Sequence, residues 1–183
     1  MLEPGLEDAL RAFLDSQHPA RDVEIRNGEI VVVSPHDLLS SNVVVRLVSI
    51  VSRFVDERKL GHVFESNGGF RYDDGDMMAP DVSYISRERL PAVPRSFANA
   101  VPELVIEVES STQRPNAIRA KLALLLEKGS SVGLYVDPGT HRVEIHRIDE
   151  LPIICGDGDA IELPDILPGL RIEVTALWPA SYA

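Results

Sequence analysis

Apolar residues recur along this chain with two periods, and the alternation between them lays out its elements. Leu6, Ala9, Leu10, Phe13 and Leu14 have helical spacing, so a short amphipathic helix is expected over residues 6–14. Val23-Glu24-Ile25-Arg26 and Glu29-Ile30-Val31-Val32-Val33 flank Asn27-Gly28, the strongest short hairpin signal, and Ser34-Pro35 ends the second strand. Val44, Leu47, Val48, Val51, Phe54 and Val55 form a second helical stripe. It predicts a helix over residues 38–59, stopped by Gly61.

Residues 62–86 read as strands with tight turns. His62-Val63-Phe64-Glu65, Gly69-Phe70-Arg71-Tyr72 and the stretch 80–85 are strands, with a turn at Asp73-Asp74-Gly75-Asp76. The proline-containing stretch 87–101 reads as an ordered loop. Residues 104–108 are nearly all apolar, as in a central strand covered on both faces. Pro115 opens a third helix with the stripe Ile118, Leu122, Leu125 and Leu126, ended by Gly129. Residues 132–136 form another buried strand, Asp137-Pro138-Gly139-Thr140 a turn, and residues 141–148 a partly exposed strand. The remainder carries a turn at Gly156-Asp157-Gly158-Asp159, short strands and Trp178. Strands followed by a strand–helix–strand unit predict an α/β or α+β fold in one domain spanning residues 1–183.

Charge breaks this pattern in one region. In a strand, alternate residues share a face. Glu103, Glu107 and Glu109 therefore lie on one face of the 104–108 strand with Val105, opposite Leu104, Ile106 and Val108. Asp81 follows a proline at the start of an earlier strand. Lys121 falls in the apolar arc of the third helix, between Leu124 and Leu126 and one turn from Ile118 and Leu125. A lysine aimed at a core must snorkel or meet carboxylates. Lys128 lies near the same arc, but in the last turn, where a cation suits the helix dipole.

Composition narrows the setting. The 183 residues are 44% hydrophobic and 26% charged, ordinary for a globular chain. The single cysteine, Cys155, excludes an internal disulfide and a Cys-rich zinc site. The acidic start does not read as a signal peptide, and no apolar run approaches the roughly 18 residues of a membrane span, so the expected location is the cytoplasm. The net charge is −11, which argues against loose binding to nucleic acid. Between Arg87 and Lys128, however, seven basic residues face five acidic ones. The candidate site is the least acidic part of an acidic protein, which favours specific or assisted contact with a polyanion.

Paired carboxylates beside a lysine suit metal-dependent phosphodiester hydrolysis. Carboxylate oxygens hold Mg²⁺ while leaving positions for water and phosphate oxygens. The metal lowers the pKa of bound water, and the lysine orients or deprotonates that water or offsets phosphate charge.

These residues resemble the PD-(D/E)XK nuclease superfamily, and within it the Uma-two endonuclease family. Pro80-Asp81-Val82 is similar to the family's Pro-Asp strand start. Pro102-Glu103-Leu104-Val105-Ile106-Glu107-Val108-Glu109-Ser110 is similar to its proline, acid, apolar run and Glu-Val-x-Ser. Lys121, Gly129 and Leu134-Tyr135-Val136-Asp137-Pro138 resemble its lysine helix and the strand ending in Asp-Pro. Ser34-Pro35 and Leu167-Pro168-Gly169-Leu170 fall where similar pieces occur. The resemblance implies a restriction-endonuclease-like fold with a central mixed sheet flanked by helices, Mg²⁺ or Mn²⁺, DNA as partner, and a homodimer. It assigns Asp81 and Glu107 to the metal. Glu109 stands where the superfamily's lysine is usual, so Lys121 takes the lysine's role and Glu109 becomes a possible extra ligand. The chain departs from the family pattern in three places. Ser40-Ser41-Asn42 stands near the place of a usual histidine, with His36 earlier. Ser111 replaces a proline, and Leu125 or Leu126 a tyrosine.

The remaining signals are weaker. His18, His36, His62, His141 and His146 lack ligand spacing and read as surface or capping residues. Asp74-Gly75-Asp76 and Asp157-Gly158-Asp159 lack the rest of a calcium loop and read as turns. Glu65 reads as surface, and Ser110 as a hydrogen-bonding residue at a strand-to-helix turn. The sequence thus points to a metal-dependent endonuclease acting on DNA, with Asp81, Glu107, Lys121 and Glu109 as its site. The alternative is a catalytically silent, dimeric module that keeps the fold and binds nucleic acid or protein. The acidic balance and the missing histidine favour that alternative; the intact Asp81, Glu107 and Lys121 favour the enzyme.

Overall fold

A computed structural model of the chain describes residues 22–33 and 36–182. The helix expected over residues 6–14 and the Ser34-Pro35 stop lie outside the described residues. Strands β1 (Asp22–Arg26) and β2 (Glu29–Val33) form the expected hairpin, with Arg26 opposite Glu29. Asn27 and Gly28 both have positive φ, 50° and 76°, the mirror-image turn that matches strand twist. Asp76 holds this turn by accepting from the N–H groups of Asn27 (2.8 Å) and Gly28 (2.9 Å).

Helix α1 (Leu38–Arg58) buries Val43, Val44, Leu47, Val51 and Val55, the predicted stripe shifted slightly toward its N-terminus. Each such side chain contributes about 1.5–3 kcal/mol on burial. Asp37 caps the helix, accepting from the Ser40 N–H at 2.9 Å. The helix ends at Lys59, which takes the left-handed conformation (φ 55°), rather than at Gly61. Gly61 instead opens β3 (Gly61–Glu65), where a Cβ would fall 2.1 Å from the Ile85 carbonyl oxygen. Among the described residues, α1 is long and apolar enough to cross a membrane by length and composition alone. Ser40, Asn42, Arg46 and Ser49 interrupt its apolar run, so no unbroken run approaches the length of a span. Its buried valines pack on the sheet, which accounts for their hydrophobicity.

β4 (Phe70–Arg71) and β5 (Met77–Met78) follow, and β5 joins β1, making a four-stranded sheet in the order β2-β1-β5-β4. The β5 pairing had no signal in the sequence pattern, because two residues are too few to show a period. The main sheet has β6 (Val82–Ser86), β7 (Leu104–Val108), β8 (Val132–Asp137), β9 (Arg142–His146) and β10 (Ile153–Cys155), in the order β10-β9-β8-β7-β6-β3. All its pairs are antiparallel except β7 with β8. That parallel pair is joined through α2 (Pro115–Glu127), as a parallel connection requires. A further pair, β11 (Ala160–Glu162) and β12 (Arg171–Glu173), leads into a 3-10 turn at Val174–Leu177.

The main sheet is covered on both faces. Leu104, Ile106 and Val108 pack with α1 and the C-terminal strands, whereas Val105 packs with Ile118, Leu122 and Leu125 of α2. The alternation read from β7 therefore holds, and β7 is fully buried. Gly133 of β8 lets Leu122 sit close; a Cβ there would fall 3.2 Å from the Leu122 side chain. This close seating brings α2 down onto the face of β7 that carries Glu107.

Candidate active site

Strand alternation aims Glu107 at α2, and helical periodicity aims Lys121 back at β7. The two side chains meet: Lys121 Nζ lies 2.6 Å from Glu107 Oε1. Glu107 is 3% exposed and Lys121 5%. Glu107 Oε1 is buried, and Lys121 is its charged partner.

Asp81 immediately precedes β6, which pairs with β7. Its Oδ2 accepts from the Val108 N–H at 2.7 Å, so the β7 backbone fixes the carboxylate beside Glu107. Its Oδ1 lies 3.1 Å from His36 Nε2. The sequence predicts His36 to be a surface or capping residue; it is instead a partner of Asp81. His36 sits just before α1, whose start is drawn toward the site. Ser40 donates its hydroxyl to the Glu109 carbonyl at 2.6 Å, and the Ser111 N–H donates to Asp37 at 2.8 Å.

A second residue was missed altogether. Glu24 of β1 is 3% exposed, and its Oε1 lies 2.9 Å from Lys121 Nζ. The same oxygen accepts from the Ala79 N–H at 2.9 Å, while the Ala79 carbonyl accepts from Lys121 at 3.1 Å. Arg26 Nε donates to Glu24 Oε2 at 2.6 Å. Lys121 is thus held by two carboxylates from different sheets and one backbone carbonyl. An acid between Val23 and Ile25 in the hairpin strand is the only signal in the sequence, and any strand residue facing solvent looks the same.

The neighbouring charges shift one another. Burial pushes Glu107 up to about 8; the Asp81 and Glu24 carboxylates add to that, and Lys121 opposes it. Burial also works against the charge on Glu24, but Lys121 and Arg26 outweigh it and hold the group below its usual value. Burial disfavours the Lys121 ammonium, yet Glu107, Glu24 and Asp81 together raise its pKa. The hydrogen bond to Asp81 raises His36.

Not every expected residue joins this cluster. Glu109 shares a face with Glu107, but its Oε2 accepts from the Tyr135 hydroxyl. Burial, followed by this bond, raises the Tyr135 pKa. The Arg119 guanidinium lies 4.6 Å over the Tyr135 ring and pairs with Glu144. Glu103 is drawn off to the Ser86 N–H (3.0 Å) and Arg89 (3.1 Å). Lys128 is bound to Asp74 and Asp76 rather than serving the helix dipole alone, which makes the Asp74-Gly75-Asp76 segment a braced turn. Glu65 is exposed, as expected. Ser110 bonds Thr112 at 3.1 Å where β7 runs into α2.

The donor set fits a hard divalent cation. Asp81 and Glu107 offer carboxylate oxygens only, held side by side at a cost in repulsion that a cation would remove. Among the described residues no three Asp, Glu, His or Cys side chains converge as a complete cage. Mg²⁺ does not need one, since it binds through one or two carboxylates and keeps several waters.

The fold is shared with a solved protein. A crystal structure of a "putative nuclease" from Anabaena variabilis superposes with a TM-score of 0.79 at 18% identity, covering 92% of this chain and 96% of that one. At that identity the likeness establishes the restriction-endonuclease-like fold. No curated protein matches the chain. The model of the Uma2 family, described as "putative restriction endonuclease", matches residues 8–175. The chain therefore belongs to the Uma2 family of restriction-endonuclease-like nucleases.

Proposed function

We propose that this protein is a Mg²⁺- or Mn²⁺-dependent endonuclease that hydrolyses phosphodiester bonds in DNA, with Asp81 and Glu107 as metal ligands. The observation that carries the reading is the buried Lys121 ammonium, 2.6 Å from Glu107 and 2.9 Å from Glu24, beside Asp81. Grouping these charges in a core is expensive unless a cation or a reacting anion completes them. A bound divalent ion would supply a more acidic water and neutralise charge on the phosphate.

The chain's own groups then take distinct roles. Asp81 is aimed by the Val108 N–H, and His36 holds its second oxygen. Lys121 has a raised pKa and stays protonated near neutral pH. It therefore acts as a donor that orients water or a phosphate oxygen, not as a base. Glu24 and the Ala79 carbonyl hold its Nζ in place. Glu109, held through one oxygen by Tyr135, keeps the other for an additional ligand role. The reading includes a homodimer acting in the cytoplasm, as expected from the family resemblance and the composition.

The test is Mn²⁺-dependent cleavage of supercoiled plasmid by the wild type, with Lys121→Ala and Glu107→Ala in parallel. Cleavage lost in both variants supports the assignment. A folded wild type that leaves the plasmid intact with Mg²⁺ and with Mn²⁺ counts against it and favours a binding module.

A further inference from the structure

A cavity of about 910 Å³ lies beside the carboxylate cluster, between the small sheet and the 87–101 loop. Ala79 belongs to both. It lines the cavity, its N–H donates to Glu24, and its carbonyl accepts from Lys121. Glu24, Asp81, Glu107 and Lys121 do not themselves line the cavity; whatever fills it is connected to them through Ala79.

The lining is mixed in a specific way. Phe70 and Met78 are buried and apolar, while Arg71, Arg95 and Asn99 bring charge and amide groups. Phe97 forms part of the wall and is 49% exposed. One side of it is covered. A Cβ on Gly69 would fall 2.1 Å from Phe97 Cε1, so the ring lies directly on a glycine backbone. The next residue, Ala98, donates to the Gly69 carbonyl (3.2 Å) and accepts from the Arg71 N–H (2.8 Å), tying this segment to β4.

An aromatic ring lying on a backbone segment, half open, in a cavity that Arg95 and Asn99 also line, has the properties of a stacking platform for a nucleobase. Bases in a duplex are stacked on one another and have no free face to offer. Charge points the same way. At a net −11, phosphate contacts are a poor source of affinity, and single strands depend on them less steeply than duplexes do. Asn99 can donate to and accept from a base edge.

We propose that this cavity binds an unpaired nucleobase stacked on Phe97, so that the DNA presented to the neighbouring carboxylates is single-stranded or locally unpaired. The identity of the polymer rests on the nuclease reading; the platform itself does not depend on turnover.

The test is fluorescence anisotropy on the full chain, with a labelled oligothymidylate and a duplex of equal length, in EDTA and again in Ca²⁺. Wild type binds the single strand about tenfold more tightly than the duplex. Phe97→Ala weakens single-strand binding about tenfold and leaves duplex binding unchanged. Phe97→Leu, which still covers Gly69 but has no ring face, shows the same loss and decides the matter should Phe97→Ala not fold. Duplex binding equal to or tighter than single-strand binding overturns the proposal. So does wild-type affinity in Phe97→Leu, or no single-strand binding in either buffer. Plasmid cleavage with no effect of Phe97 removes the platform and leaves the nuclease reading standing. Phe97-dependent binding without cleavage under Mg²⁺ or Mn²⁺ does the reverse.

Discussion

Lys121 Nζ and Glu24 Oε1 pair at 2.9 Å, linking the second helix to the first described strand and joining the two sheets at the site. Both groups are buried, so neither charge has water to fall back on. The pair makes the small sheet part of the framework around the candidate site rather than an appendage.

Replacing the ammonium tests this directly. Lys121→Met leaves the ionised Glu24 buried without its cation, which costs about 3–5 kcal/mol for a broken buried pair. Urea unfolding in EDTA should show a midpoint shifted far below wild type. A midpoint equal to wild type would mean the charges are not buried together in solution.

Glu107 predicts a pH dependence. Its ordinary value is 4.5, and in the fold it is pushed up to about 8. Between those values the unfolded chain has released a proton that the folded chain keeps, so this group's contribution to stability falls as pH rises through that window. Glu107→Gln removes the titration. In metal-free buffer the variant should therefore gain on wild type steadily from about pH 5 to pH 8. A difference that stays constant across that range would refute the raised pKa.

Divalent metal should stabilise the folded state by mass action. At a free concentration of 100 times the dissociation constant the gain is about 2.7 kcal/mol, read as a rise in Tm. Asp81→Asn keeps an oxygen for the Val108 N–H and so should fold, yet lose most of that rise. An undiminished rise in the variant would place the metal elsewhere.

Asp37 links α1 to the loop after β7 by accepting from the Ser40 and Ser111 N–H groups. Those bonds hold its pKa well below the usual carboxylate range. Its contribution is present above the ordinary value and is lost as acid protonates it. Asp37→Ala should cost about 1 kcal/mol near neutral pH by chemical denaturation, as lost helix caps do. The cost should shrink in strong acid. Equal stability at neutral pH would show that the cap contributes nothing here.

Much of this arrangement was written locally. Asn27-Gly28 specified a hairpin because both positions must take positive φ, and they do. The period of β7 placed Glu107 with Val105 against α2, and the period of α2 placed Lys121 toward β7. Each of these follows from backbone geometry over a few residues, where pattern alone decides which face a side chain occupies. Glu24 and His36 could not be read this way. Glu24 alternates with apolar neighbours like any strand residue facing water, and His36 lies in the irregular stretch before α1. What made them part of the site was the pairing of β1 with β5 and the seating of α1 against the turn after β7. Those are contacts between segments distant in sequence. Burial and charge pairing at such contacts depend on how sheets and helices pack, so the tertiary structure alone decided the partners of Lys121 and Asp81.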